Sequence, residues 1–263
     1  MKSKNLLLGG TWVKSQGIGE PIILIHGVGL DQSMWKSQVI GLQNHYNIIT
    51  YDLIGHGNSI NLSGERSIED FVDQLFQLMI NLKIKCASIL GFSMGGLISH
   101  KFTLKYPKMT KKLILMNTVF KRSSFQQQSI LKRYQDAKNF GLKSQSDDAI
   151  KRWFSPKFIA SHSKIVNEIK NCFESNDPNG YLKAYKVFST FIESEREVLI
   201  TCPTLILTGE FDRGSTPNMA HALGKTIIGS KVKILRNLSH MMPVEDPSQI
   251  NFILKNFLEN ADK

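Results

Sequence analysis

Six short apolar runs recur along the chain, and longer amphipathic segments separate most of them. They are "PIILIHG" (21–27), "YNIITYD" (46–52), "CASILGF" (86–92), "KLILMNT" (112–118), "PTLILTG" (203–209) and "KVKILRN" (231–237). Each is rich in β-branched residues and nearly all apolar, as expected of strands buried on both faces of a parallel sheet. Residues 66–82 carry Ile68, Phe71, Leu75, Leu78 and Met79 at helical spacing, with Ser67 and Asp70 as a capping box. The alternation predicts a doubly wound α/β domain. A length of 263 residues suits one large α/β domain with an insertion.

The alternation breaks between about 119 and 200, where only helical patterns remain. One helix is expected from Ser124 to Gly141, with Leu131, Tyr134 and Phe140 on one side and Gly141 as the stop. Others are expected over 146–154, over Lys164–Phe173 and after "DPNG" (177–180), the last with Tyr181, Tyr185 and Phe188 on one face. The division is therefore a core of 1–119 and 201–263 with a helical cap of 120–200 over the C-terminal edge of the sheet.

Within "ILGFSMGGLISH" (89–100) a serine is bracketed by glycines between a strand and a helix. A sharp strand-to-helix turn tolerates only tiny neighbours two residues from its tip, and Gly91 and Gly95 supply them. Ser93 is then exposed at a helix N-terminus, which also favours a developing anion. A serine hydroxyl needs a base to become a nucleophile. Asp212 follows "PTLILTG", and His240 follows "KVKILRN", so serine, acid and histidine come in order, each just after a strand. The backbone N–H groups of Val28 and Met94 are the expected oxyanion donors. His26 is expected to bond its own loop through its ring, and Asp52 and His56 to shape theirs.

The motifs "HGVGLDQSMW", "YDLIGHGNS", "GFSMGG", "GEFDRGSTP" and "LSHMMPVEDP" make the chain resemble the α/β-hydrolase superfamily over nearly its whole length. The cap segments "KRWFSPKFIASH" and "NDPNGYLKAY" resemble the 3-oxoadipate enol-lactonase group, whereas "FIESEREVLITCP" departs from it. The resemblance implies an α/β-hydrolase fold: a mostly parallel doubly wound sheet, with the cap inserted before the strand that precedes the acid. It implies a cofactor-free serine hydrolase acting on a small-molecule carboxylic ester or lactone through an acyl-enzyme on Ser93. Arg152 and Trp153 are expected near the start of a loop before Pro156, and if this segment "KRWF" faces the pocket, Trp153 forms an apolar wall. Arg152, or else Arg133 or Lys121, then meets a substrate carboxylate. A carbon–carbon bond hydrolase or a haloperoxidase-like perhydrolase could use the same triad, and a non-enzymatic ligand receptor could use the same fold. Dehalogenases and epoxide hydrolases resemble this fold with an aspartate where Ser93 stands.

The net charge of +11 raises a nucleic-acid reading, but the lysines and arginines are scattered and accompany no such motif. No nucleic-acid partner, metal or cofactor is expected. Three dispersed cysteines, Cys86, Cys172 and Cys202, fit a reducing cytosol. The apolar run after Met1 is too short for a signal peptide, and no stretch approaches a membrane span, so a cytoplasmic location is expected. The sequence carries no signal for oligomeric state.

Overall fold

The computed structural model describes residues 4–191 and 199–259. Eight strands form one sheet: β1 (Lys4–Leu8), β2 (Thr11–Gly17), β3 (Glu20–Ile25), β4 (Tyr46–Tyr51), β5 (Ala87–Phe92), β6 (Thr110–Met116), β7 (Thr204–Gly209) and β8 (Lys231–Leu235). Their order is β1-β2-β4-β3-β5-β6-β7-β8. The first two pairings are antiparallel and the rest are parallel. All six expected strands are present.

β1 and β2 lie outside the six. They form a hairpin about Gly9 and Gly10, both at positive φ, and that pair between two strand-like runs is the signal that marks it. β8 departs from the expectation of burial on both faces. It is an edge strand, and Lys231 and Lys233 face solvent in alternation with Val232 and Ile234. Charged side chains on an edge discourage pairing with another chain.

Helices α1 (Lys36–Leu42), α2 (Ile68–Asn81) and α3 (Met94–Lys105) follow β3, β4 and β5. The Ser67–Asp70 capping box opens α2 as expected. Among the described residues five helices stand between β6 and β7: α4 (Ser124–Phe140), α5 (Lys143–Trp153), α6 (Pro156–Ser161), α7 (Ser163–Glu174) and α8 (Pro178–Thr190). Then come α9 (Pro217–Thr226), α10 (Met242–Glu245) and α11 (Pro247–Glu259). Residues 192–198, part of the segment read as cap and of "FIESEREVLITCP", lie outside the described residues, as do residues 1–3 of the N-terminal run.

The alternating side chains of the central strands separate two apolar layers. Ile23, Ile25 and Ile89 pack with Phe71 and Leu75 of α2 and Phe102 of α3. Ile22, Leu24 and Leu90 pack on the opposite face with Leu42 of α1 and Leu254 of α11. Each such side chain contributes about 1.5–3 kcal/mol on burial. This double layer holds the strand ends rigid, and the loops leaving their C-terminal edge carry the polar groups described next.

Two local expectations are corrected. On α4, Leu131 and Phe140 are exposed, and the buried apolar residues are Ile130 and Ala137. Arg152 and Trp153 are the last two residues of α5 rather than part of a loop, and a further short helix, α6, follows them. Among the described residues no helix is long and apolar enough to cross a membrane.

Candidate active site

β5 ends at Phe92 and α3 begins at Met94, leaving Ser93 alone to make the turn. Its φ of 54° and ψ of −114° are costly for a side chain with a Cβ. Packing enforces them. The Ser93 N–H donates to the Met116 carbonyl at 2.9 Å, which ties the turn to the end of β6. A Cβ on Gly91 would strike the Gly95 carbonyl and Ser99 Oγ, and one on Gly95 would strike the Ile25 carbonyl. One on Gly96 would strike Thr118 Oγ1, a third requirement beside the two expected glycines.

Asp212 and His240 meet after β7 and β8. The imidazole Nδ1 lies 2.7 Å from Asp212 Oδ2. A carboxylate only accepts, so Nδ1 carries the proton and Nε2 keeps a lone pair. The same Oδ2 accepts from Asn117 Nδ2 at 2.7 Å, and Oδ1 accepts the N–H groups of Gly214 and Ser215 at 2.8 and 2.9 Å. Four donors thus immobilise a carboxylate that is almost wholly buried. The Phe92 ring packs against the imidazole at a centroid distance of 4.8 Å, tilted by 50°. Asn117 at φ 49° was not anticipated from the sequence; its only signal is an asparagine at the end of β6.

Ser93, Asp212 and His240 line one cavity of about 340 Å³. No hydrogen bond joins Ser93 Oγ to the imidazole among the described residues, a looseness common before substrate binds. Val28 also lines the cavity, beside Gly27. Met94 is the first residue of α3 and fully buried. Neither its N–H nor that of Val28 has a hydrogen-bond acceptor among the described residues. Helix N-termini leave such donors for an incoming anion.

The loops beneath are braced by two buried histidines. His26 Nδ1 donates to the Gly27 carbonyl at 2.8 Å, and its Nε2 accepts the Leu53 N–H at 2.9 Å. His56 Nε2 accepts the Gly29 N–H at 3.1 Å. Asp52 accepts from the N–H groups of Gln32 and Asn58 at 2.9 and 2.8 Å. Burial lowers the pKa of His26 to about 4. Burial, with help from His26, lowers that of His56 to about 3.

The far wall of the cavity comes from α4, α5, α7 and α8. Trp153 stands edge-on to Phe173 at 5.5 Å, and Tyr181 and Tyr185 are buried beside it. Among the described residues four arginines line the space: Arg122, Arg133, Arg152 and Arg213. Among the described residues the only lining carboxylate is Asp212, already committed to four donors. Arg133 Nε donates to Tyr185 Oη at 3.1 Å. Burial, followed by the charge of Arg133, lowers the pKa of Arg152, which remains protonated at neutral pH. Lys121 is exposed, with its ammonium over the Phe120 ring, and does not line the cavity.

The serine at this strand–turn–helix corner lines one cavity with an aspartate–histidine couple at the C-terminal edge of a mostly parallel sheet. The chain matches the family described as alpha/beta hydrolase fold over residues 20–247, and it belongs to that family. An (E)-2-((N-methylformamido)methylene)succinate hydrolase of Acinetobacter baylyi is 30% identical over 249 residues, covering 94% of this chain and 93% of that protein. The 3-oxoadipate enol-lactonase 2 of the same organism is 28% identical over 230 residues, covering 88% and 85%. The crystal structure of the enol-lactonase from Burkholderia xenovorans aligns with a TM-score of 0.88 at 25% identity, covering 98% of this chain and 100% of that one.

Proposed function

We propose that the protein is a serine hydrolase that cleaves an anionic carboxylic ester or lactone through an acyl-enzyme on Ser93. The observation that carries this reading is the buried Asp212–His240 hydrogen bond opening onto the cavity that Ser93 also lines. His240 Nε2 takes the Ser93 proton as Oγ attacks the substrate carbonyl. The positive imidazolium is held by the Asp212 carboxylate. The oxyanion forms between the N–H groups of Val28 and Met94; such donors are typically worth about 10²–10³ in turnover each. His240 then gives its proton to the departing oxygen, and water repeats the sequence in reverse to release the acid.

Residues 120–200 act as the cap that closes this space. Arg152 binds the substrate carboxylate, with Arg133 beside it, and Trp153 supplies an apolar wall. Support comes from Arg133 and Arg152, which line the cavity on its cap side and have no ion-pair partner among the described residues. The two relatives named above, acting on a substituted succinate and on an enol-lactone of 3-oxoadipate, agree with a substrate that carries a carboxylate. Turnover of an anionic enol-lactone and of a neutral ester of similar size, by wild type and by Ser93→Ala, tests the reading. Wild type is expected to prefer the anion, and Ser93→Ala to be inactive on both. Preference for the neutral ester would reject the anionic substrate class.

A further inference from the structure

The motif "LSHMMPVEDP" contains a glutamate to which the proposed chemistry gives no task. Glu245 is the last residue of α10, five positions after His240 and half-buried. Its two carboxylate oxygens are used by two different parts of the chain. Oε2 accepts the N–H of Ser239, the residue before His240, at 2.7 Å. Oε1 accepts the N–H of Ser155, between α5 and α6, at 2.6 Å. A third bond runs alongside: the Met241 N–H donates to the Trp153 carbonyl at 2.7 Å. The backbone on both sides of His240 is therefore tied to the α5–α6 corner, which carries Arg152 and Trp153.

A carboxylate fits this place because both groups it meets are donors. An amide offers one acceptor and turns its own N–H toward a donor. An aspartate is one methylene too short to span both. α10 itself is held from the core side, where Gln38 Nε2 donates to the Pro243 carbonyl at 2.9 Å.

We propose that Glu245 is a positioning residue that locks the His240 loop to the α5–α6 corner, so that the imidazole and the Arg152–Trp153 wall keep one fixed relation. The proposal rests on His240 being the base. Displacing a base by about 1 Å can cost roughly a hundredfold in rate, so loss of the lock should show in kcat more than in KM.

The test compares Glu245→Gln, Ser155→Pro, Ser155→Ala and the double variant Glu245→Gln/Ser155→Pro with wild type. Ser155 has φ −68°, which proline adopts, so Ser155→Pro deletes the N–H that meets Glu245 without forcing the backbone. Both Ser155 variants lose the hydroxyl that caps α6 at Phe158, so their difference isolates the N–H. The readouts are kcat and KM on a neutral short-chain ester, the pH–rate profile, thermal melting, and the His240 Nδ1 proton resonance without substrate.

Glu245→Gln and Ser155→Pro are expected to lower kcat about ten- to a hundredfold with little change in KM. Both should move the pH–rate midpoint and shift the His240 resonance. Ser155→Ala should stay near wild type, and the double variant should be no worse than Glu245→Gln. If Glu245→Gln does not fold, Ser155→Pro against Ser155→Ala decides. An unmoved resonance and pH profile in a folded variant, or equal losses in the two Ser155 variants, would overturn the lock. Absence of Ser93-dependent turnover in wild type would instead overturn the triad reading, and the resonance would still report on the lock.

Discussion

Asn117 Nδ2 donates to Asp212 Oδ2 at 2.7 Å, on the same oxygen that faces His240 Nδ1. The amide stops that carboxylate oxygen from swinging away from the imidazole. With the N–H groups of Gly214 and Ser215 on Oδ1, it leaves the acid one orientation. Asn117→Gly keeps the positive φ open and removes the donor. It should lower kcat by about tenfold, because three donors remain. Asp212→Asn should cost about 10⁴, since an amide favours the wrong imidazole tautomer. Steady-state kinetics of the two variants side by side give the ranking, and an equal loss in both would remove Asp212 from its role.

Arg152 faces the cavity next to Arg133 with no ion-pair partner among the described residues. Arg152→Ala should weaken kcat/KM for an anionic lactone by about 1.5–3 kcal/mol relative to a neutral ester. Arg152→Lys should recover only part of this, because an ammonium cannot form the paired bonds of a guanidinium. Equal losses on both substrates would mean that Arg152 packs the cap and binds nothing.

Acid stability follows from the braced loops. His26 and His56 are neutral when folded, with pKa values lowered to about 4 and about 3 from an ordinary 6.5. The unfolded chain therefore binds protons as pH falls below 6.5 while the folded one does not. Their contribution to stability is complete above pH 6.5 and is lost as pH drops toward 4 and then 3. Urea unfolding from pH 7 down to about 4 should show a loss on the order of several kcal/mol. His56→Gln, whose amide oxygen can still accept from Gly29, should flatten that slope. A stability that stays level to pH 4 would mean that these rings are not buried neutral.

That Ser93, Asp212 and His240 meet at one cavity was legible because each follows an apolar strand, in serine–acid–histidine order. The six strands were legible because their burial on the sheet demands unbroken apolar runs, most clearly in β5 and β7. α4 was misread for a physical reason. Its inward stripe is Gln126, Ser129, Ile130 and Arg133, the i, i+3, i+4, i+7 set that faces the cavity. A helix that covers a cavity turns polar residues inward, so hydrophobic spacing pointed to Leu131 and Phe140 instead. Asn117 and Glu245 were illegible because their roles depend on contacts between distant strand ends and helices. α8 covers the same space with Tyr181, Tyr185 and Phe188, and there the apolar spacing identified the right face.

That Ser93 is the nucleophile and His240 its base is tested by intact-mass measurement of the protein treated with a fluorophosphonate, followed by peptide mapping. One adduct per chain on Ser93 is expected in wild type, with a much slower reaction in His240→Ala and none in Ser93→Ala. An adduct on another residue, or labelling of Ser93 at an unchanged rate in His240→Ala, would contradict it.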